Sequence, residues 1–484
     1  MKKQILRFSS AFLIVFLFSV FSSRAQTRTD VYAITNAHIV TVSGKTIERG
    51  TVVVRNGLIE SVGAAAKIPA DARIIDGSLL TVYPGFFDAL TKLGLPIAAT
   101  PPRGGQNQQQ GPQSQSPSNS NYPDGLRPET VAEQKLKAGE AQFESQRNAG
   151  FTTVLTVGDD DIFNGQSAVI NLAGESVSAM IVKAPFAQHV SFRTLRNGEY
   201  PTSLMGTFSS LRQMFLDARR FSDMQKMYAA NPRGMKRPDS DASLEALLPV
   251  LSGQMPVVFN ANLEREILRA LDLAKEFKLR PIIAGGQEAW KVADRLKADN
   301  VPVLLSLDFP KRTAAASEEA DPEPLSLLRF RAETPSAAVR LQNAGVKFAF
   351  ESGAMKNISD FLTNVGKSVE SGLAKDAAIR AMTLSAAEIL GVNNQLGSIE
   401  EGKIANLVVM RGDIFGKEKM ITHVFVDGKL FEQKEKPKTP PGATTQPGAA
   451  ANVGGNYSIT IEIPGQPLPG TMVLTQQGAT LSGS

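Results

Sequence analysis

Apolar and polar residues alternate in short runs near the start of the chain, at residues 31–34, 38–41, 51–55, 58–62 and 73–76. A period of two places successive side chains on opposite faces, so each run predicts a half-buried β-strand. Asn56 and Gly57, between the third and fourth runs, tolerate positive φ and predict a tight hairpin. The signature returns late, where residues 405–410 and 423–426 read as strands and Asp427 and Gly428 form a second turn pair. Strands at both ends of the chain predict one composite β-sandwich that flanks whatever lies between them.

Between the two ends the rhythm lengthens. Residues 256–259 read as a strand, Leu263, Ile267, Leu268, Leu271, Ala274 and Phe277 mark one apolar helix face, and residues 280–284 read as the next strand. A helix at 288–298 and a strand at 301–305 continue the alternation, and strands at 152–157, 179–182 and 346–350 fit it. Repeats of about 20–25 residues with short loops predict right-handed βα units on a parallel sheet. The predicted fold class is therefore α/β, a TIM-like (β/α)8 barrel beside a β-sandwich built from N- and C-terminal segments.

The remaining segments follow from composition. Lys2, Lys3 and Arg7 precede an apolar run at 11–21 and the small-x-small sequence Ser23, Arg24, Ala25, which predicts a cleaved signal peptide over 1–25. The expected destination is the periplasm or the exterior, with no membrane span after cleavage. Residues 26–83 form the first part of the sandwich, 84–395 the barrel and 396–433 the second part. Within the barrel, 101–123 is rich in Gln, Pro, Ser and Asn and lacks the apolar residues to pack, so it reads as a disordered insertion. Residues 434–455 read as a linker. A C-terminal β segment at 456–484 either docks on the main body or belongs to a longer β module.

The 484 residues contain no cysteine, which excludes disulfides, thiolate metal sites and a catalytic thiol. The formal charge of +5 owes four basic residues to 1–25, which holds no acid, so the remainder carries +1. Nothing in that balance points to nucleic acid. Functional groups of a parallel barrel sit at the C-terminal ends of its strands, a rule that selects Leu90, Lys92, Asn260, Gln287, Asp308 and Glu351.

Several stretches then make a resemblance specific. They are residues 36–40, 56–59, Val82 to Asp88 (VYPGFFD), Ala149 to Val154 (AGFTTV), the block from Phe259 to Gln287, and Leu396 to Val409 (LGSIEEGKIANLVV). In this order they resemble the amidohydrolase superfamily, in its imidazolonepropionase-like and prolidase-like branch, over about residues 31–430. The resemblance implies hydrolysis of carbon–nitrogen bonds by one or two divalent metals, held by a His-x-His pair, two further histidines and an aspartate. Position by position, the pair falls on Leu90 and Lys92, the next histidines on Asn260 and Gln287, and the aspartate on Gly353. All five ligand positions are substituted. Lys183 lies near the place where such proteins can carry a modified lysine.

Only three histidines exist in the chain. His38 and His423 fall in the flanking β unit, leaving His189 as the one weak candidate for a metal. The residues thus favour an exported, catalytically impaired homologue with no cofactor, which binds a small molecule or peptide, or pairs with a paralogous amidohydrolase subunit. The alternative is an active hydrolase. It would have either an unorthodox divalent (zinc) site, or a metal-independent mechanism through Lys92, Asp308 and Glu351. Acidic residues at 318–323 read as a solvated loop.

Overall fold

The computed structural model describes residues 31–96, 120, 122–123, 125–158, 161–195, 200–312, 323–353, 355–433, 455–463, 466–477 and 480–483. The signal peptide, nearly all of the 101–123 insertion, residues 434–454 of the linker and 318–322 of the acidic run lie outside them. The described residues fall into two units, one ending at Gln433 and one within 455–483.

The first unit opens with β1 (Tyr32–Ile39), β2 (Ile47–Arg55), β3 (Leu58–Gly63), β4 (Arg73–Asp76) and β5 (Leu80–Pro84). The two runs read as separate strands at 31–34 and 38–41 are one strand, β1, interrupted by a bulge: Asn36 takes φ 57° and the register shifts between Ile34 and Ala37. Asn56 and Gly57 close the β2–β3 hairpin at φ 53° and 81°. Asp427 and Gly428 do the same at 51° and 74° for the late pair.

Next along the chain come β6 (Phe86–Thr91), β7 (Phe151–Thr156), β8 (Phe163–Gln166), β9 (Ala168–Asn171), β10 (Ile181–Lys183) and β11 (Gln188–Ser191). After them lie β12 (Val257–Ala261), β13 (Pro281–Gly285), β14 (Val303–Ser306) and β15 (Phe348–Glu351). Strands β16 (Leu407–Arg411), β17 (Met420–Val426) and β18 (Lys429–Glu432) end the unit.

The two ends of this unit do meet. β16 pairs antiparallel with β5, giving one hydrogen-bonded sheet in the order β18-β17-β16-β5-β1-β2-β3, with β4 beside β1. Hydrogen bonds thus link the strands of both ends in one continuous path. The sheet encloses a core of Ile34, Ile39, Val52, Val54, Val82, Leu407, Val409 and Phe425, all fully buried.

Between these ends the structure is α/β with mixed sheets. Strands β11 to β15 are parallel neighbours in sequence order, with β8 added antiparallel at the β11 edge. β6 and β7 are parallel in a second sheet that continues antiparallel through β9 and β10. The strand expected at 179–182 is a capped helical turn, Val177–Met180, followed by short β10. Ser176 holds that turn by accepting from the Ala179 N–H, so the apolar run belongs partly to a turn. The next parallel strand is β11, and two helices, Leu204–Ala230 and Ala242–Leu251, separate it from β12.

Alternation along these strands divides the core. Phe87, Ala89, Val258, Ile282, Ala284, Leu304 and Ala349 meet in one cluster. The intervening Phe86, Phe259, Ile283, Val303, Leu305 and Phe350 pack in another with the helices, including Ile267, Leu271 and Phe277 of Glu264–Phe277. Asn260, Ser306 and Glu351 share the parity of Val258, Leu304 and Ala349, two residues nearer the C-terminal strand ends. An apolar layer therefore underlies a polar one.

The second unit is a three-stranded antiparallel sheet of β19 (Gly455–Ile463), β20 (Gln466–Gln477) and β21 (Thr480–Gly483).

Candidate functional site

The polar layer lines a cavity of about 680 Å³, within the range of small-molecule sites. Leu90, Lys92, Asn260, Gln287, Asp308, Glu351 and Gly353, all selected from sequence, lie on its wall. Their convergence follows from parallel pairing: Asn260 is in register with Ala284, and Ser306 with Glu351, so strand ends separated by tens of residues face one space. Leu90 and Lys92 enter from the end of β6, whose register is irregular between Asp88 and Thr91.

Charge is distributed by depth. Lys92, Arg193 and Asp308 are exposed, whereas Gln287, Ser191, Ser306 and Glu351 are buried. Asn260 Nδ2 donates to Ser191 Oγ (2.8 Å) and Asn164 Oδ1 (3.2 Å), and Ser191 Oγ donates to that same Asn164 oxygen (2.8 Å). Gln287 Nε2 donates to the Asp308 carbonyl (2.9 Å). These bonds fix both carboxamides and leave Asn260 Oδ1 and Gln287 Oε1 without a hydrogen-bond partner among the described residues.

Glu351 is 2% exposed, and its Oε2 also has no hydrogen-bond partner among the described residues. Burial, then the nearby Asp88 charge, hold its carboxyl well above the usual carboxylate range, against a hydrogen bond from Ser306. Asp88 is buried just as deeply and is pushed up to about 6 by desolvation, partly offset by its Ser352 bonds. It accepts from the Ser352 N–H (2.8 Å) and hydroxyl, bridging from β6 to the residue that follows β15.

The donor set does not fit the family's metal. Leu90 offers an alkyl chain, Gly353 no side chain, and Lys92 in its ammonium form no lone pair. Among the described residues no group of three or more His, Cys, Asp or Glu is placed to hold a metal ion. His189 does not supply the missing ligand. Register pairs it with Val258, at the level of the apolar layer, while Ser191 pairs with Asn260 at the polar one. Its Nε2 bonds to Ser167 Oγ (2.9 Å), and complete burial pushes the imidazole down to about 3. Lys183 lies at the opposite strand ends, in a separate cavity, with Nζ donating to the Leu390 carbonyl (3.1 Å).

Sequence reasoning missed Asn164, Ser191, Phe192 and Ser306 on the cavity wall. Ser191 ends, and Phe192 follows, a four-residue strand too short to stand out by alternation, and Asn164 arrives on an antiparallel strand that the βα rhythm does not announce.

The frame around the cavity is tied to the flanking sheet. Gly85 N–H donates to the Asn406 carbonyl (2.7 Å), and a Cβ at Gly85 would lie 2.1 Å from Thr152 Oγ1. Asn406 Nδ2 donates to Thr153 Oγ1 (3.0 Å) and Asn171 Oδ1 (2.9 Å), its Oδ1 accepts from the Asp427 N–H (2.8 Å), and Asn171 Nδ2 donates to Asp427 Oδ1 (2.6 Å). Every member is buried or half-buried and bonded.

With this geometry in place, the chain can be set beside known proteins. Residues 292–431 match the model of the Amidohydrolase family. Amidohydrolase tasK of Hapsidospora irregularis is 26% identical over 405 residues, which are 78% of this chain but 39% of that protein, so the chain spans about two fifths of the relative's length. An amidohydrolase structure from Thermotoga maritima superposes with a TM-score of 0.68 at 25% identity, covering 83% of this chain and all of that one. A prolidase complexed with N-methylphosphonate-L-proline superposes at 0.50 and 18% identity, covering 84% of this chain and all of that one, a likeness of fold alone.

Proposed function

The chain belongs to the amidohydrolase superfamily, by homology a family of hydrolases, and from this premise we propose that it is a ligand-binding member in which metal-dependent hydrolysis has been lost. The strands β6, β7 and β11–β15 would then form the wall of the family's TIM-like barrel, with the composite sheet as its flanking sandwich. The observation that carries the reading is the wall itself: five ligand positions gather around one cavity, and none presents a histidine or carboxylate. Family membership does not restore that chemistry, because fold and site are separable.

The reading includes export directed by residues 1–25, so that the ligand is met in the periplasm or outside. It also admits a paralogous amidohydrolase chain as partner, which co-purification from the native source would reveal. Metal content of the folded mature protein, purified without chelator from cells supplied with zinc, manganese and iron, tests the central claim. Substoichiometric metal is the expected result; one metal per chain, lost together with amide hydrolysis on Glu351→Gln substitution, would overturn it.

A second reading has one observation in its favour. Glu351, buried in the cavity wall with its carboxyl pushed well above the usual carboxylate range by burial and the Asp88 charge, is chemically suited to act as a general acid without metal. Turnover of a carbon–nitrogen substrate that survives chelation and disappears in Glu351→Gln would establish it.

A further inference from the structure

The cavity's chemistry narrows what it can hold, given the ligand-binding reading above. Buried groups discriminate between ligands more strongly than exposed ones, because an unmatched buried polar atom loses water without replacement. Here the exposed rim carries Lys92, Arg193 and Asp308, Asn260 and Glu266 are half-buried, and the buried wall is built from Asn164, Ser191, Gln287, Ser306 and Glu351. Asn260 Oδ1 and Gln287 Oε1 are acceptors without partners among the described residues, each on a side chain already fixed through its amide nitrogen. Oε2 of Glu351 is buried and has no hydrogen-bond partner among the described residues. Such a wall asks for a ligand with several hydroxyl groups at different angles and no charge to bury.

One aromatic ring completes the wall. Phe192 is half-buried, stacked on Phe259 at 5.9 Å and packed on Phe208 at 4.6 Å, and it lines the same cavity. A ring held in this way adds fixed apolar surface to a polar wall, which suits the C–H groups of a pyranose or cyclitol beside its hydroxyls.

We propose that this cavity binds an uncharged polyhydroxylated small molecule, a sugar or cyclitol, through the carboxamide oxygens of Asn260 and Gln287, the Glu351 carboxyl and the ring of Phe192. Burial and the Asp88 charge push the Glu351 carboxyl well above the usual carboxylate range, and in its protonated form it donates to a hydroxyl while its other oxygen accepts. No covalent step is involved.

The test is calorimetric titration, with thermal melting in parallel, of the full chain against glucose, N-acetylglucosamine, trehalose and myo-inositol. Glycyl-proline and spermidine serve as zwitterionic and cationic probes. At least one polyol should bind with millimolar affinity or better, and Gln287→Met and Phe192→Leu should each weaken it by about tenfold while the unliganded melting temperature stays close to wild type. Two variants on different elements keep the result interpretable should one fold poorly. Binding confined to glycyl-proline or spermidine, and sensitive to Gln287→Met, would overturn the polyol class and leave the ligand-binding reading standing. Absence of binding by every probe up to tens of millimolar would overturn both.

Discussion

The joint between the composite sheet and the α/β region and the wall of the cavity belong to the same unit, yet they differ in what their residues do. At the joint, Asn406, Asn171, Thr153 and Asp427 satisfy one another in a closed hydrogen-bond network, and Gly85 leaves room for Thr152. At the cavity, Asn260, Gln287 and Glu351 each keep an atom with no partner among the described residues. The joint is closed upon itself, whereas the cavity keeps hydrogen-bonding capacity that no described residue takes up. The stretches that resemble the superfamily fall where the joint needs them, and the substituted positions fall on the cavity wall.

The largest effect that can separate the two regions is expected from Gly85→Leu. Its side chain would be driven into Thr152, so denaturant unfolding should show a loss of about 3 kcal/mol or more, as overpacking with backbone displacement does. An unchanged midpoint would mean that the joint is softer than its contacts imply. Next comes Asp88→Ala, which strands the Ser352 N–H and hydroxyl beside β15; a loss of about 2 kcal/mol is expected by the same measurement.

The pH dependence of stability sharpens the comparison further, because two buried groups oppose one another. His189, pushed down to about 3, takes its proton more readily in the unfolded chain, where the value is near 6.5. Its stabilising contribution is therefore full above 6.5 and lost as pH falls toward 3. Asp88, raised to about 6 from an ordinary value of 3.8, contributes fully below 3.8 and loses that contribution as pH rises through 6. Between pH 4 and 6, His189→Gln should make stability fall more steeply with rising pH, and Asp88→Asn should make it rise more steeply. Parallel curves for the two variants would contradict the burial of both groups.

The smallest effect belongs to the cavity rim. Lys92→Ala and Asp308→Ala, both at exposed positions, should change stability by less than about 0.5 kcal/mol. A larger loss in either would show that the rim charges carry part of the fold.

Much of this arrangement is legible in the sequence because short-range signals and strand parity agree. Asn56 with Gly57 and Asp427 with Gly428 announce their turns through residues that accept positive φ, and the strand ends at Asn260, Gln287, Asp308 and Glu351 converge once the strands are parallel. What escapes depends on register and on non-local pairing. The depth of His189 is set by which residue of β12 it faces, and nothing in its neighbours states that it sits beside Val258 rather than Asn260. Likewise the 27-residue helix Leu204–Ala230 buries none of its residues after Phe221, so its apolar period fades before its end. The run at 179–182 carries strand-like residues, but a side-chain cap from Ser176 claims its first half for a helical turn.

Gly353 couples the cavity wall to its backbone. It takes φ 53°, which disfavours a side chain, and a Cβ there would lie 2.8 Å from Glu351 Oε2 and 3.3 Å from Ser306 Oγ. An aspartate at this position would start from a strained backbone and would turn the Glu351 carboxyl, the far end of a flexible side chain, aside. Under the proposed loss of metal binding, any redesign toward a metal site would therefore have to treat positions 351 and 353 as one.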